Sequence, residues 1–206
     1  MAQTDYWRPE QAAEAEIEIK NSRFIAYLEP VSSLQEADQA KARIKALHPH
    51  ARHHCWAQIV DTPFDVHASG SSDDGEPSGT AGRPMLAVLT GKPAGFLMVM
   101  VVRYFGGVKL GTGGLVRAYA GAVRAVFEHT QWQQCLPLVQ LKITLSYPLH
   151  QQVLHLVARF DGAVTGSEFT DQVTLVLTVP LTAEQDFTQQ LLDLGAGTIH
   201  IHSNKA

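Results

Sequence analysis

The chain of 206 residues contains only two cysteines and no long apolar segment. Cys55 and Cys135 lie far apart and outside any C-x-x-C spacing, so the sequence indicates neither a zinc site nor a disulfide framework. We expect Cys55 to be a buried free thiol. No run reaches the ~18 apolar residues that a membrane helix needs, and the acidic N-terminus lacks the apolar core of a signal peptide. We therefore expect a cytoplasmic protein with no membrane partner.

Asp and Glu are also absent from residues 77–127. This segment carries six of the sixteen Lys and Arg residues, whereas all twenty acidic residues lie elsewhere and the net charge is −4. An acid-free basic segment is the electrostatic footprint of a phosphate-bearing partner. The alternative is that tightly packed elements leave little room for carboxylates. The six cations are Arg83, Lys92, Arg103, Lys109, Arg117 and Arg124.

Glycine is concentrated in the same part of the chain, with twelve of the sixteen glycines within residues 70–121. The apolar run at 96–102 predicts a buried strand, and GGVKLGTGG and a helical pattern follow it. Strand, glycine loop and helix in this order present backbone N–H groups and a helix N-terminus to an anion. The loop has neither the dinucleotide-binding nor the Walker spacing, so we predict a generic phosphate nest. We expect positive φ at the pairs 106–107 and 113–114.

The predicted phosphate- or nucleic-acid-binding site adds side chains to this loop. Lys109 supplies a point charge, and Arg103 and Arg117 supply forked donors. Aromatic rings interleave with these cations, which suits base stacking beside backbone contacts. The alternative for Tyr104 and Phe105 is that they point to opposite faces of a strand and only one is exposed. The predicted site consists of Arg103, Tyr104, Gly106, Gly107, Lys109, Gly111, Gly113, Gly114, Arg117 and Tyr119.

A second motif, DDGEPSGTAG, lies in the long loop that we predict for residues 61–82; loops of this length are usually functional or mobile. Asp73, Asp74 and Glu76 offer three oxygens for a hard cation such as magnesium. The same residues are typical of a sharp turn in which Asp bonds to nearby backbone. We favour the turn and expect neither a metal nor another cofactor. The motif loop consists of Asp73, Asp74, Gly75, Glu76, Pro77, Gly79, Thr80 and Gly82.

Hydrophobic periodicity predicts two α+β domains, at 14–130 and 138–203. We expect residues 1–13 to be frayed and 131–137 to be a linker. The predicted elements of the first domain are two strands within 15–31, a helix from the Ser33–Glu36 capping box to Pro49, a strand at 53–60, a short helix at 84–89, a strand at 96–105 and a helix at 114–129. The second domain has the order of a ferredoxin-like βαββαβ motif.

Two stretches carry a family resemblance: DDGEPSGTAGRPML at 73–86 and VVRYFGGVKLGTGGLVRAYAGAV at 101–123. They resemble the signature of the IMPACT family, most closely its bacterial YigZ-type branch, and the part from about residue 137 is similar to the small second domain of bacterial members. The resemblance implies a first domain with the split βαβ fold of small-subunit ribosomal proteins and domain four of elongation factor G. It implies a second domain like domain five of that factor. Eukaryotic relatives regulate translation by binding a protein partner of the starvation-sensing kinase.

Three hypotheses about function follow. The first is a non-enzymatic binding protein that contacts RNA or the ribosome and is linked to the regulation of translation. The second is a protein–protein interaction module of the translation stress response. The third is a metal-dependent hydrolase or peptidase, which would need a divalent ion at the DDGEP turn. The chain has neither a Ser-His-Asp order nor a G-x-S-x-G elbow, so we expect no catalytic residues.

Overall fold

The computed structural model describes residues 5–202, which divide into two α+β units. The first unit comprises Tyr6–Cys135, and the second contains the residues from Leu136 onward. The predicted α+β class is therefore confirmed. None of the helices within the described range is long and apolar enough to cross a bilayer.

The first unit is built on a five-stranded sheet whose neighbouring strands are all antiparallel, in the order β2-β3-β6-β4-β5. Strands β1 and β7 pair separately as a two-stranded ribbon. The strands are β1 (Tyr6–Pro9), β2 (Ala13–Ile19), β3 (Ser22–Pro30), β4 (His53–Ile59), β5 (Ser69–Ser72), β6 (Leu97–Tyr104) and β7 (Trp132–Cys135). The helices are α1 (Leu34–Leu47), α2 (Gly82–Gly91) and α3 (Thr112–His129).

Strand β6 is apolar because both of its faces are covered. Leu97, Val99 and Val101 belong to the core that includes α2 and α3, whereas Met98 and Met100 belong to the core that includes α1. Alternating side chains of one strand therefore serve two cores, which explains a continuous apolar run rather than alternation with polar residues. The buried central strand predicted from this run is confirmed.

The start of α1 follows the predicted capping pattern with one change. The Ser33 hydroxyl accepts a hydrogen bond from the Glu36 N–H at 3.2 Å. The Glu36 carboxylate reaches one residue further back than a standard capping box and accepts from the Ser32 N–H at 2.7 Å.

Three segments of the first unit differ from the sequence prediction. The region expected to be all loop at 61–82 contains the edge strand β5, whose letters SGSS carry no apolar alternation to reveal it. The frayed segment expected before residue 14 contains β1, and the expected linker contains β7, its partner. Burial stabilises this ribbon, since the Tyr6 ring contacts Phe96 and the Trp7 N–H donates to the Pro93 carbonyl at 2.8 Å. Residues 1–4 of the predicted frayed segment lie outside the described residues.

The second unit is a four-stranded antiparallel sheet in the order β11-β8-β10-β9, with two helices against one face. Alternate residues of its central strand, from Val173 to Val179, are buried. Its elements are β8 (Leu138–Leu145), α4 (His150–Arg159), β9 (Ala163–Phe169), β10 (Val173–Pro180), α5 (Glu184–Gly195) and β11 (His200–His202). This is the predicted βαββαβ arrangement.

Candidate ligand-binding cleft

A cleft of about 610 Å³ lies where β6 ends and the glycine loop leads into α3. Arg52 and His53 contribute one part of its lining, the motif loop contributes Glu76, and Phe105 and Lys109 contribute another part. Arg52 and Lys109 are exposed and take part in no ion pair within residues 5–202. The cleft therefore combines uncompensated positive charge with an aromatic ring that is 55% exposed, Phe105.

Helix α3 begins at the edge of this cleft without a side-chain cap. Its N-cap residue is Gly111, at φ +72°, and its first turn contains no acidic residue. No hydrogen bond within the described chain uses the N–H groups of Thr112, Gly113 or Gly114, whereas Leu115 N–H donates to the Gly111 carbonyl at 2.9 Å. Gly111 and Thr112 line the cleft. Free N–H groups and the helix dipole make this terminus attractive to an anion.

The backbone predicted for the glycine pairs is wrong at three of four positions. Gly107 has φ +85°, but Gly106, Gly113 and Gly114 do not have positive φ. Gly113 and Gly114 belong to the first turn of α3. Gly106 is required by packing, because a Cβ there would lie 2.0 Å from the Asn21 carbonyl carbon. The backbone N–H groups that could face an anion therefore belong to the N-terminus of α3. They do not form the predicted nest of paired glycines.

A buried ion pair lies beside the cleft and changes the expected role of two residues. Glu76 Oε1 accepts hydrogen bonds from Arg103 Nη1 at 2.6 Å and from the Tyr119 hydroxyl at 2.8 Å. Arg103 is 7% exposed and its charge is compensated by Glu76, so it is not the free forked donor that we predicted. Tyr119 is fully buried and has no face on which a base can stack. Burial raises the pKa of its hydroxyl, which therefore stays protonated and donates to Glu76.

The other predicted side chains are spread over several surfaces. Tyr104 lines the cleft but is half-buried, and its hydroxyl is 2.9 Å from His48 Nδ1, so of the adjacent aromatic pair only Phe105 is exposed, as the alternative interpretation expected. Arg117 is exposed on α3 but does not line the cleft. Lys92 lies over the Trp132 ring, 4.0 Å from its centroid, and is also outside the cleft. The acid-free segment therefore does not form one basic face.

Arg52 and His53 were missed by the sequence prediction. Antiparallel pairing of β4 with β6 places His53 opposite Arg103, so the residues just before β4 reach the cleft. The imidazole Nδ1 of His53 lies 3.0 Å from the Asp74 carbonyl, which connects this strand to the motif loop. Only the register of the two strands reveals this proximity, and the local sequence around residue 53 carries no sign of it.

The motif loop forms the predicted turn, and Asp73 holds it together. Its carboxylate accepts hydrogen bonds from the N–H groups of Gly79 at 2.7 Å, Ala81 at 2.9 Å and Gly82 at 2.8 Å. Burial would raise the pKa of Asp73, but the N–H donors of Gly79, Gly82 and Ala81, together with Arg83, lower it overall. Asp73 thereby caps the N-terminus of α2 and stays ionised. Gly75 and Gly79 have positive φ in this turn. The Thr80 hydroxyl donates to the Pro77 carbonyl at 2.6 Å.

The three carboxylates of this turn have separate partners. Asp73 bonds the start of α2, Asp74 accepts from the His54 N–H at 2.8 Å, and Glu76 pairs with Arg103. Within residues 5–202, no group of three or more His, Cys, Asp and Glu side chains is placed to hold a metal ion. The geometry therefore gives no support to a divalent ion shared by these three residues.

Cys55 lies beneath the same turn as a buried free thiol, as predicted. Its Sγ–H donates to the Asp73 carbonyl, with Sγ 2.9 Å from the oxygen. Burial raises its pKa to about 12, so the thiol stays protonated and unreactive at neutral pH.

These features define a class of two-domain α+β proteins: an antiparallel-sheet unit with a cleft at the end of its central strand, followed by a βαββαβ unit. Residues 20–127 match the family model described as Impact N-terminal domain. Residues 143–198 match one described as Domain of unknown function (DUF1949). The chain belongs to the IMPACT family, so the predicted family is confirmed.

Individual relatives extend the match to both units. An IMPACT family member of Haemophilus influenzae is 38% identical over 197 residues, which cover 96% of each chain. The IMPACT family member YigZ of Escherichia coli is also 38% identical, over 89% of this chain and 90% of that protein. A solved structure titled as a hypothetical protein matches with a TM-score of 0.70 at 35% identity and covers 98% of both chains. None of these names states an activity.

Proposed function

We propose that the protein is a cytoplasmic, non-enzymatic RNA-binding protein linked to translation, and that the cleft of the first unit receives single-stranded RNA. The observation that carries the proposal is the N-terminus of α3, which has no side-chain cap, beside an exposed aromatic ring and two cations that form no ion pair within residues 5–202. Phosphates are attracted by Arg52, Lys109 and the free N–H groups of α3. A base stacks on Phe105, and such stacking contributes about 1–3 kcal/mol.

The size of the cleft suits this use. A volume of about 610 Å³ lies within the range of small-ligand sites, roughly 300–1,000 Å³, and accommodates one nucleotide with its neighbouring phosphates. The negative net charge of the whole chain does not oppose binding, because the cleft contains three cations, Arg52, Arg103 and Lys109, and its carboxylate, Glu76, is paired with Arg103. Local charge determines attraction at distances near the Debye length, about 8 Å at physiological salt.

The test is the salt dependence of binding to a fluorescein-labelled, mixed-sequence RNA 12-mer. Affinity should fall steeply with salt for the wild type, and Arg52→Glu/Lys109→Glu should abolish it. Charge reversal at Arg103 is avoided because it would leave Glu76 buried beside another carboxylate. The matched control, Arg124→Glu/Lys142→Glu, reverses two exposed cations outside the cleft and should bind within about twofold of wild type.

Two results would contradict the proposal. One is a flat salt response, since contact with phosphates releases counterions. The other is equal loss of binding in the cleft variant and the control, because that would reveal attraction to total charge.

A second candidate, a protein-interaction function, is favoured by a groove of about 540 Å³ between α2 and α3. Val88 and Phe127 give it apolar lining, and Lys92 and Arg124 add positive charge, a combination that suits an acidic, partly apolar segment of another protein. A lysate protein that stays bound after ribonuclease treatment but is lost from Arg124→Glu would support this candidate. Complete loss of all captured proteins on ribonuclease treatment would contradict it.

A further inference from the structure

The cleft contains a carboxylate that a purely phosphate-binding site would exclude. The Glu76 carboxylate accepts two hydrogen bonds, from Arg103 and from Tyr119, and Oε1 accepts both. Oε2 has no partner within the described residues, and it is not among the fully buried unpaired polar atoms, which are Gln58 Oε1 and Arg103 Nε. Glu76 lines the cleft and its side chain is only 4% exposed, so its remaining oxygen is reached through the cleft.

We propose that Glu76 Oε2 reads the base of the bound RNA and that the cleft prefers guanine. This inference rests on the proposed RNA-binding function and adds the identity of the base. A base that covers Glu76 must donate a hydrogen bond to Oε2, because a carboxylate oxygen left buried without a donor is costly. Guanine presents two adjacent donors, N1–H and N2–H, on its Watson–Crick edge, which is the edge read in single-stranded RNA.

The other bases fit this acceptor less well. Adenine and cytosine each present one amino group beside a ring nitrogen that accepts hydrogen bonds. Uracil presents a single N3–H between two carbonyl oxygens, which the carboxylate repels. The expected order of affinity is therefore guanine first, adenine and cytosine next, and uracil last.

The surroundings of Glu76 fix the orientation of the nucleotide. The carboxylate repels phosphate, so the phosphates turn toward Arg52, Lys109 and the start of α3, while the base turns toward Glu76 and the Phe105 ring. The two hydrogen bonds on Oε1 hold the carboxylate in one position before the ligand arrives. Preorganisation of this kind reduces the entropy that binding must offset.

The test measures the affinities of four labelled RNA hexamers, r(GU)3, r(AU)3, r(CU)3 and U6, for the full chain. We expect r(GU)3 to bind about tenfold more tightly than U6, the size of one well-placed base contact. A hexamer in which inosine replaces guanine lacks only the N2 amino group and should lose most of this preference. A 7-deazaguanine hexamer keeps the Watson–Crick edge and should bind like r(GU)3.

Glu76→Gln provides the matching change in the protein. Glutamine keeps an oxygen for Arg103 and Tyr119 but places an amide donor where Oε2 stood, so the ratio between r(GU)3 and U6 should fall toward one. Lys109→Ala should weaken all four hexamers while leaving that ratio unchanged. If Glu76→Gln does not fold, the inosine and 7-deazaguanine hexamers decide the question with the wild-type protein.

Four outcomes would overturn the inference. U6 binding as tightly as r(GU)3, or inosine binding as tightly as guanine, refutes base reading but leaves RNA binding intact. A guanine preference that survives in folded Glu76→Gln means that another group reads the base. If neither the four hexamers nor the RNA 12-mer bind to the wild-type protein, the proposed function fails together with the inference.

Discussion

Helices α2 and α3 both begin in the acid-free segment and pack against the same core, yet the partners of their N-termini differ. The carboxylate of Asp73, a residue nine positions before α2, accepts from the N–H groups of Ala81 and Gly82 at the helix start. It also accepts from the Gly79 N–H in the preceding turn. The first turn of α3 receives no carboxylate and no side-chain cap from the part of the chain that the structure describes. Thus the chain supplies an anion to the N-terminus of α2, and the proposed function assigns that role at α3 to an RNA phosphate.

This difference separates a structural motif from a candidate binding motif. DDGEPSGTAG looks like a ligand loop because it is rich in glycine and acid, but most of its polar groups are consumed by contacts within the turn. GGVKLGTGG has fewer polar side chains, and the N–H groups of its last three residues, 112–114, have no partner within the described chain. Unused hydrogen-bonding capacity beside a cleft is therefore a better guide to a site than residue composition.

The largest effect should come from removing the carboxylate at α2. Asp73→Ala leaves three N–H donors without their acceptor and should lower the free energy of unfolding by about 3 kcal/mol, measured by urea denaturation. Asp73→Asn retains one acceptor oxygen, which can still serve Ala81 and Gly82, and should lose less. Equal stability of Asp73→Ala and wild type would show that Asp73 does not hold this turn.

An intermediate effect is expected when α3 is given the carboxylate that α2 already has. Thr112→Glu places an acid in the first turn of α3, where it should stabilise the helix by about 0.5 kcal/mol through the dipole. The same charge should weaken RNA binding about fivefold, because it repels the incoming phosphate. The neutral control Thr112→Gln should change neither quantity appreciably. Stability and affinity that fall together would argue against an anion site at this terminus.

The smallest effect should come from Gly113, in the first turn of α3. Gly113 has no positive φ, and the nearest atom to an added Cβ, Arg117 Nη1, is 3.8 Å away, so Gly113→Ala should stabilise the protein by about 0.5 kcal/mol. The contrasting change Gly111→Ala forces a residue with a side chain to φ +72° and should destabilise it by about 1 kcal/mol. Thermal melts of both variants check this, and a destabilised Gly113→Ala would contradict the assigned helix start.

Sequence reasoning succeeded where a structural signal is local. The apolar run of β6, the periodicity of α3 and the Ser33 cap each depend on residues within one or two turns of each other, and each was found. The helix that starts at Thr112 was predicted to start at residue 114, two residues late, and Gly113 in its first turn is a residue with low helix propensity. The four-residue strand β5 was not predicted, because its sequence SGSS has no alternation of apolar and polar residues.

The candidate site was harder to predict because its contacts join distant parts of the chain. Arg103 and Glu76 belong to different sequence motifs, and only the fold shows that they neutralise each other. Tyr119 lies on the helical face that packs against Phe24, so its burial depends on how α3 is oriented on the sheet. His53 reaches the cleft through strand register alone. Residue type suggested a binding surface, and tertiary contacts determined which residues remain available to form it.

The ribbon of β1 and β7 joins the two ends of the first unit, with Tyr6 opposite Cys135. During synthesis β1 leaves the ribosome first and stays without its partner until β7 has also emerged. The last step in completing this unit is therefore the closure of a loop that contains nearly all of its residues, the kind of sequence-distant contact that slows folding. A nascent chain interrupted before residue 132 retains the backbone partners of Trp7 at Pro93 and Gly95 but lacks β7, so the other edge of β1 stays open to chaperones and proteases.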